Sequence, residues 1–383
     1  MNRLPMFRLL LLLLCAAFVL PLVGCQTTPD PVETDPVTDP VTDPATDPAT
    51  DPATDPETDP ATEPETEPET EPVDTMWTYV HEKSGVLTRE ITIQSGKGGS
   101  PVEIIQISDI HFNYCNAQDF EEKNPAIMST YEYRKWLANG ESVSNAKRCL
   151  SHAKEADMLV LTGDTLDYLS HGCIELTQKN LLEPWKDAIL ASPGNHEPLR
   201  QMQGVVEDTT SLQSRQDLLQ SIWPHDLHYA SFVLKGKVML IQLDNASMCE
   251  EGGSAFLQEQ IEPFKADLAK AREKGYVVLL FYHIPIATGN PEDYRSISPN
   301  NGDQVNFYSS GVGRYSKGAS KEIYTLITDN ADIIKGTFCG HVHNDYYTNI
   351  KGTGQNGTGH LIPQYIMTAS AYQQGHIFRI IVE

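Results

Sequence analysis

Basic residues are scarce in this chain of 383 residues, which has 28 Lys and Arg against 52 Asp and Glu. Residues 27–74 contain no Lys or Arg at all, and their 16 acidic residues account for two thirds of the net charge of −24. Proteins that bind the backbone of duplex nucleic acid need a basic face. The composition therefore argues against duplex binding, and the rest of the chain is only moderately acidic.

Cysteine is sparse as well, and two of the seven cysteines lie within the first 25 residues. The others are Cys115, Cys149, Cys173, Cys249 and Cys339. Five thiols can form at most two disulfides, with one thiol left over. The sequence leaves the pairing open.

Residues 1–25 form a targeting segment, in which Arg3 and Arg8 precede an apolar stretch that ends at Val23. The last four residues, Leu22-Val23-Gly24-Cys25, resemble the lipobox of bacterial lipoproteins. In that motif the signal peptidase cuts before the cysteine, and a diacylglyceryl group is attached to its sulfur. The resemblance implies lipidation of Cys25 and display outside the cytoplasm, anchored to the bacterial cell membrane. An ordinary signal peptide or an uncleaved anchor is the alternative.

Residues 26–75 follow as a spacer in which Thr-(Asp/Glu)-Pro-x recurs. A proline at every fourth position forbids helix, and the like charges repel one another. We therefore predict a disordered, extended tether that would span roughly 150 Å at about 3.1 Å per residue. An adhesive or O-glycosylated stalk is the alternative, because threonine recurs throughout.

Five apolar runs in the remaining domain, residues 76–383, are each followed by Asp, His or Asn. The residues after runs 102–107, 158–161, 188–190, 277–281 and 333–338 are, in that order, Asp109 and His111, Asp164 and Asp167, Asn195 and His196, His283, and His341 and His343. Such runs predict buried strands. Open α/β sheets bind ligands at the carboxyl ends of their strands, so we expect these polar residues to converge.

The ordered set Asp-x-His, Gly-Asp-x-x-Asp, Gly-Asn-His-Glu, His and Gly-His-x-His resembles the calcineurin-like metallophosphoesterase superfamily over roughly residues 100–345. The resemblance implies an α/β (α+β) fold, a four-layer αββα sandwich of two mixed β-sheets flanked by helices, metallophosphatase-like. It also implies hydrolysis of phosphate esters by two metal ions that acidify a bridging water. An acidic enzyme can take such an anionic substrate because the two ions dominate the local field.

The resemblance assigns seven metal ligands. The first ion would be held by Asp109, His111, Asp164 and His343, and the second by Asp164, Asn195, His283 and His341. Asp164 would bridge the two ions. Mixed carboxylate, imidazole and amide ligands suit Mn, Zn or Fe. No cysteine is among them, so a structural zinc knuckle is not implied.

His196 stands beside a predicted ligand, and the corresponding histidine of the family protonates the leaving oxygen. The resemblance makes Asp167 its orienting partner, so that the two form an acid–base pair. Glu197 is the alternative partner for His196.

The sequence differs from two subgroups of the superfamily at motif positions, and these differences narrow the substrate class. Tyr168 and Phe112 stand where Ser/Thr protein phosphatases of the superfamily carry Arg and Gly, and the purple acid phosphatase pattern does not fit either. This favours a single-domain enzyme for small phosphomonoesters or phosphodiesters. Aromatic and Arg side chains can stack on bases or grip phosphate. On that basis the predicted substrate rim consists of Tyr168, Tyr294, Arg295 and Tyr308.

The segments between the motifs have their own patterns. Apolar periodicity predicts helices over 142–156, 174–188 and 256–274, whereas residues 112–141 and 198–228 are predicted to be irregular, the latter as a rim. A cluster of large side chains precedes the first of these helices, namely Tyr131, Tyr133, Arg134 and Trp136. Packing is the favoured interpretation of this cluster, and a substrate-facing wall is the alternative.

The sequence thus predicts a lipid-anchored, extracytoplasmic and monomeric phosphoesterase with a dinuclear metal site, acting on small phosphate esters. The alternative is a surface-displayed binding or adhesion protein that retains the fold without activity. A decayed site should have lost at least one predicted ligand, and none is missing.

Overall fold

The computed structural model describes residues 79–83, 85–134, 141–199, 209–247, 255–289, 295–296, 312–370 and 375–383. The predicted targeting segment, Cys25 and the tether lie outside the described residues. None of the described helices is long and apolar enough to cross a membrane.

The described part of the chain is a mixed α/β structure. Its strands are β1 (Tyr79–Lys83), β2 (Val86–Ile93), β3 (Val102–Ile107), β4 (Met158–Thr162), β5 (Ile189–Ser192), β6 (Tyr229–Leu234), β7 (Val238–Leu243), β8 (Val277–Phe281), β9 (Arg295–Ser296), β10 (Ile334–Cys339), β11 (Tyr346–Lys351), β12 (Leu361–Ile366) and β13 (Gly375–Val382). Its α-helices are α1 (Ala117–Glu122), α2 (Pro125–Arg134), α3 (Ser142–Ala153), α4 (His171–Thr177), α5 (Glu183–Trp185), α6 (Leu212–Ile222), α7 (Ile261–Lys274), α8 (Gly318–Asp329) and α9 (Gly354–Gly357).

The strands form two mixed sheets. The first has the order β1-β2-β13-β3-β4-β5, and the second has the order β6-β7-β8-β10-β12-β11-β9. In the first sheet β3, β4 and β5 are mutually parallel. In the second sheet β7, β8, β10 and β12 are mutually parallel. The polar residues that are predicted to converge follow β3, β4, β5, β8 and β10. All five of these strands belong to the two parallel groups.

The core is divided into three apolar layers, which establishes the αββα sandwich. The middle layer joins side chains from both sheets, such as Val160 from β4 and Leu279 from β8. One outer layer packs the first sheet against α3, α4 and α6, and the other packs the second sheet against α7 and α8. Every residue of β4 and β8 is buried. Strands covered on both faces read as continuous apolar runs, and this is why their positions could be predicted.

Most predicted elements are confirmed, with three corrections. The helix predicted over 174–188 begins earlier, at His171, and passes through a π-helical turn (Gln178–Leu182) before α5. Residues 112–141 include α1 and α2, and residues 198–228 include α6. The helix α6 was missed because only Gln216 and Leu219 of its residues are buried. Its start is instead marked by Ser211, whose side chain accepts a hydrogen bond from the amide of Ser214.

Four cysteines are free thiols in the described part of the chain. Cys115, Cys149, Cys173 and Cys339 are all buried and form no disulfide, and Cys249 lies outside the described residues. Burial raises the pKa of the Cys173 thiol to about 12. The Cys173 thiol therefore stays protonated and acts as an apolar side chain.

Candidate metal centre

The strand ends deliver the predicted ligands through strained backbone. Seven described residues other than glycine have a positive φ, and five of them are Asp109, His111, Asp164, His341 and His343. The left-handed region is rarely adopted by such residues and costs about 1–3 kcal/mol at each position. Strain of this kind clusters at functional sites, because the surrounding structure must hold it in place. The tight turns aim the side chains across the ends of the two sheets.

The first ligand cluster lies at the ends of β3, β4 and β10. Its four members, Asp109, His111, Asp164 and His343, offer ligand atoms that all lie within 4.8 Å of one another. Nε2 of His343 is 3.1 Å from Oδ1 of Asp109 and 3.0 Å from Nε2 of His111. Nε2 of His111 is in turn 3.8 Å from Oδ2 of Asp164.

The second ligand cluster lies at the ends of β4, β5, β8 and β10. Nε2 of His283 is 3.3 Å from Oδ2 of Asp164 and 3.2 Å from Oδ1 of Asn195. Nδ1 of His341 is 3.2 Å from the same Nε2 of His283. Oδ2 of Asp164 therefore faces both clusters, as a bridging ligand must.

The donor atoms of both clusters fit cations. His283 donates its Nδ1 proton to the carbonyl of Thr162 over 2.7 Å, so its Nε2 is the nitrogen that faces the cluster. His111 likewise bonds Asp167 through Nδ1, which leaves Nε2 for the centre. Only a proton or a cation can lie between acceptors brought this close. Ligands about 2.1 Å from one ion are themselves about 3.0–3.4 Å apart. Five of the separations given above, at 3.0–3.3 Å, match this range, and His111 and Asp164 are farther apart at 3.8 Å.

Charge within the centre is set by burial and by the neighbouring imidazoles. Burial alone would raise the pKa of Asp109 and Asp164, but His343 and His283 respectively hold both pKa values below their ordinary range. Burial lowers the pKa of His341 to about 4. Burial also opposes protonation of His283, yet Asp164 raises its pKa to about 10. Cations would therefore bind to ionised carboxylates, in competition with a proton on His283.

Two glycines make room for these side chains. Gly163 has a φ of +88°, and a β-carbon there would lie 2.6 Å from the ring carbon Cγ of His283. A β-carbon on Gly340 would overlap the side chains of Ser108 and Asp109. Glycine is therefore required at the first position of the Gly-Asp and Gly-His motifs, because neighbouring side chains of the site approach the backbone too closely for a β-carbon.

Asp167 lies beside His196, and it also supports His111. Nδ1 of His196 is 2.8 Å from the backbone carbonyl of Asp167 and 3.4 Å from its carboxylate oxygen Oδ1. Nδ1 of His111 donates to the same Oδ1 over 2.9 Å. Burial would raise the pKa of Asp167, but the hydrogen bonds from His111 and His196 hold it well below its ordinary value. The carboxylate is therefore ionised, accepts from the His111 ring and lies beside the His196 ring.

Glu197, the alternative partner of His196, is engaged elsewhere. Its buried carboxylate accepts hydrogen bonds from the backbone amides of Asp164, Thr165 and Gly194 at 2.7–3.1 Å. Burial raises the pKa of Glu197 to about 7, and the charge of Asp164 adds to the effect. Glu197 thus braces the turns that carry the ligands and does not pair with His196.

The predicted substrate rim is corrected at Tyr168. Its side chain is fully buried, and its hydroxyl donates to Oδ1 of Asn113 over 3.3 Å. It packs in the core behind Asp167, because the sequence after β4 turns back into the apolar layer. Arg295 belongs to the short strand β9, which pairs with β11. Tyr294 and Tyr308 lie outside the described residues.

Two residues at this site were not predicted as site residues. Asn113 donates from Nδ2 to Oδ2 of Asp167 over 2.9 Å. Arg134 donates from Nη2 to Oδ1 of Asp167 over 2.5 Å. The sequence favours packing for the cluster that includes Arg134, with a substrate-facing wall as the alternative, and nothing in its sequence context links Arg134 to Asp167. Only the path of α2 back to the strand ends brings the two together.

The fold and the site together define a metal-dependent hydrolase. The family model for calcineurin-like phosphoesterases matches residues 102–345, and the chain belongs to that family. The superfamily expected from the motifs is thereby confirmed. A comparison with curated proteins finds no match.

Solved structures of phosphatases resemble the chain at low identity. A dimetal phosphatase from Danio rerio has 12% identity and a TM-score of 0.41, over 70% of this chain and 88% of its own. Purple acid phosphatase PPD1 from yellow lupin has 13% identity and a TM-score of 0.36, over 74% of this chain and 44% of its own. The calcineurin-like phosphoesterase YfkN from Bacillus subtilis has 14% identity and a TM-score of 0.31, over 71% of this chain and 82% of its own.

Proposed function

We propose that this chain hydrolyses small phosphomonoesters or phosphodiesters with two metal ions, of Mn, Zn or Fe, held by the two ligand clusters. The observation that carries the proposal is the position of Asp164, whose Oδ2 lies 3.8 Å from His111 in one cluster and 3.3 Å from His283 in the other. When bound, two such ions supply a nucleophile at neutral pH and clamp the phosphoryl oxygens.

The remaining chemistry belongs to His196. Its Nδ1 proton is held by the backbone carbonyl of Asp167, so Nε2 is the nitrogen free to give a proton. Burial would lower the pKa of His196, but the charge of Asp164 and the hydrogen bonds to Asp167 raise it to about 9. An imidazolium at neutral pH can protonate the leaving oxygen of an ester. The assignment of His196 as general acid follows from this arrangement.

Activity with defined metal content tests the proposal. The purified full chain is stripped with chelator, reloaded with Mn²⁺, Zn²⁺ or Fe²⁺, and assayed on p-nitrophenyl phosphate and bis-p-nitrophenyl phosphate. We expect about two ions per chain and turnover of at least one substrate. Two bound ions without turnover of either ester would favour the alternative, a surface binding or adhesion protein that retains the fold.

We further propose that the enzyme is displayed outside the cytoplasm on a lipid attached to Cys25. The basic start, the apolar stretch and the small residue directly before Cys25 support this placement. Expression in a bacterium with labelled palmitate tests it. We expect label on the wild-type chain and none on Cys25→Ser. In a second test, protease is added to whole cells whose outer membrane, where there is one, has been permeabilised. We expect it to cleave the wild-type chain. A labelled Cys25→Ser chain would contradict the assignment.

A further inference from the structure

Arg134, the last described residue of helix α2, contacts the Asp167 carboxylate with two nitrogens of its guanidinium, a geometry called a fork here. Nη2 donates to Oδ1 over 2.5 Å, and Nε lies 3.1 Å from Oδ2. The carboxylate is fully buried and the arginine side chain is 12% exposed. A buried carboxylate is costly unless it is paired with a charge and hydrogen-bonded. The planar guanidinium matches both oxygens at once, as a lysine ammonium cannot.

The carboxylate held in this way serves both rings of the site. Oδ1 accepts from Nδ1 of His111 at 2.9 Å and lies 3.4 Å from Nδ1 of His196. Oδ2 accepts from Nδ2 of Asn113 at 2.9 Å. The two imidazoles meet edge to face with centroids 4.8 Å apart, so a rotation of the carboxylate would move it toward one ring at the expense of the other.

We propose that Arg134 is a positioning residue for the hydrolysis. Its guanidinium fixes the Asp167 carboxylate in the orientation that serves His111 and His196 together. His111 then keeps Nε2 toward the first ligand cluster, and His196 keeps Nε2 free for the leaving group. The role of His196 rests on the proposed function, whereas the support of His111 does not. Partners that orient a metal-ligating histidine typically contribute 10–100-fold in metal affinity or activity.

Full-length Arg134→Ala and Arg134→Lys are compared with the wild type for Mn²⁺ affinity by calorimetry and for kcat and KM on p-nitrophenyl phosphate. We expect Arg134→Ala to bind one of two ions about tenfold more weakly and to lose about 10–100-fold in kcat with KM nearly unchanged. Guanidinium at low millimolar concentration should restore part of the lost kcat. Arg134→Lys keeps the charge without the fork and should fall between the two.

Arg272→Ala is the matched control. Arg272 makes a similar fork, with Nη1 and Nη2 on Asp332 at 2.8 and 2.9 Å, but it lies at the exposed end of α7. Its loss should leave metal affinity and kcat unchanged, with no response to guanidinium.

Three results would overturn the proposal. A raised KM with unchanged kcat would make Arg134 a substrate contact. Unchanged metal affinity and unchanged kcat would remove any role at the site. Loss of both ions from Arg134→Ala and Arg134→Lys alike, without rescue by guanidinium, would make the residue part of the structural core. If the wild type turns over no ester, the proposed function fails, and metal affinity alone still decides whether Arg134 supports His111.

Discussion

The backbone amide of Asp164 donates to the carboxylate of Glu197 over 3.1 Å, which ties the turn after β4 to the turn after β5. The same carboxylate accepts from Thr165 and Gly194 at 2.7 and 2.8 Å. In return, the amide of His196 donates to Oδ1 of Asp164 over 2.9 Å. The candidate bridging carboxylate and the candidate general acid are therefore held by one reciprocal network.

Removing the Glu197 carboxylate should destabilise the fold. Glu197→Ala leaves three buried amides without an acceptor, and each unsatisfied group costs about 1–3 kcal/mol. We expect the free energy of unfolding in urea to fall by about 3 kcal/mol or more. Glu175→Ala is the control, because Glu175 accepts only an exposed hydrogen bond from Asn116 and should change stability by less than about 0.5 kcal/mol. Equal effects of the two variants would contradict the bracing role.

Asp164→Asn and His196→Ala should separate metal binding from proton transfer. Asp164→Asn removes the charge that faces both clusters, so we expect fewer than two ions per chain and a loss of kcat of more than about 100-fold. His196→Ala removes only the proton donor, so we expect about two ions per chain and a kcat lowered by about 10²–10⁴-fold. Elemental analysis and steady-state kinetics check both variants. A His196→Ala protein without metal would show that the assigned role is wrong.

A methyl group on Gly340 should disturb Asp109. The β-carbon would overlap the Ser108 and Asp109 side chains, whose hydrogen bond of 2.6 Å holds the ligand in place. We expect Gly340→Ala to cost about 1–3 kcal/mol of unfolding free energy and to weaken metal binding. Gly275→Ala has a positive φ but open space around the β-carbon, so it should cost stability through strain alone and leave metal binding unchanged.

The pair of His228 and Asp244 should make stability depend on pH. Nδ1 of His228 lies 2.7 Å from Oδ2 of Asp244, and this hydrogen bond raises the pKa of His228 above 6.5, with Asp226 and Glu259 acting in the same direction. Because the pKa of His228 is higher in the folded than in the unfolded protein, the ion pair contributes to stability. This contribution is complete at pH values below the unfolded pKa of 6.5, and it is lost as the pH rises through the folded-state pKa.

Urea unfolding of the wild type and His228→Gln at pH 6 and pH 9 measures this contribution. The wild type should lose more stability between the two pH values than the variant does. The two losses of unfolding free energy should differ by an amount of the order of 1 kcal/mol. The difference is small because a quarter of the histidine side chain is exposed, so solvent screens the ion pair. Equal losses in the two proteins would show that the ion pair contributes nothing.

Some site residues could be predicted from the sequence, and others could not. Asp109, Asp164 and His283 could be identified because each follows a buried strand whose apolar run is visible in the sequence. Tyr168 was misplaced because it was assigned to the substrate rim on its aromatic character alone, whereas its side chain is buried in the core. Arg134 was missed as a site residue because it contacts Asp167 from a different element, 33 residues away along the chain.

The sequence alone predicted the strand ends and, through the resemblance of its motifs, the superfamily and the set of candidate metal ligands, because buried parallel strands and the residues that follow them form local patterns. Tertiary structure alone decided that Glu197 braces the turns and that the Asp167 carboxylate is also shared with His111, Asn113 and Arg134. These are contacts between separate elements, and their geometry depends on how two sheets and the helix α2 pack, which no local pattern encodes.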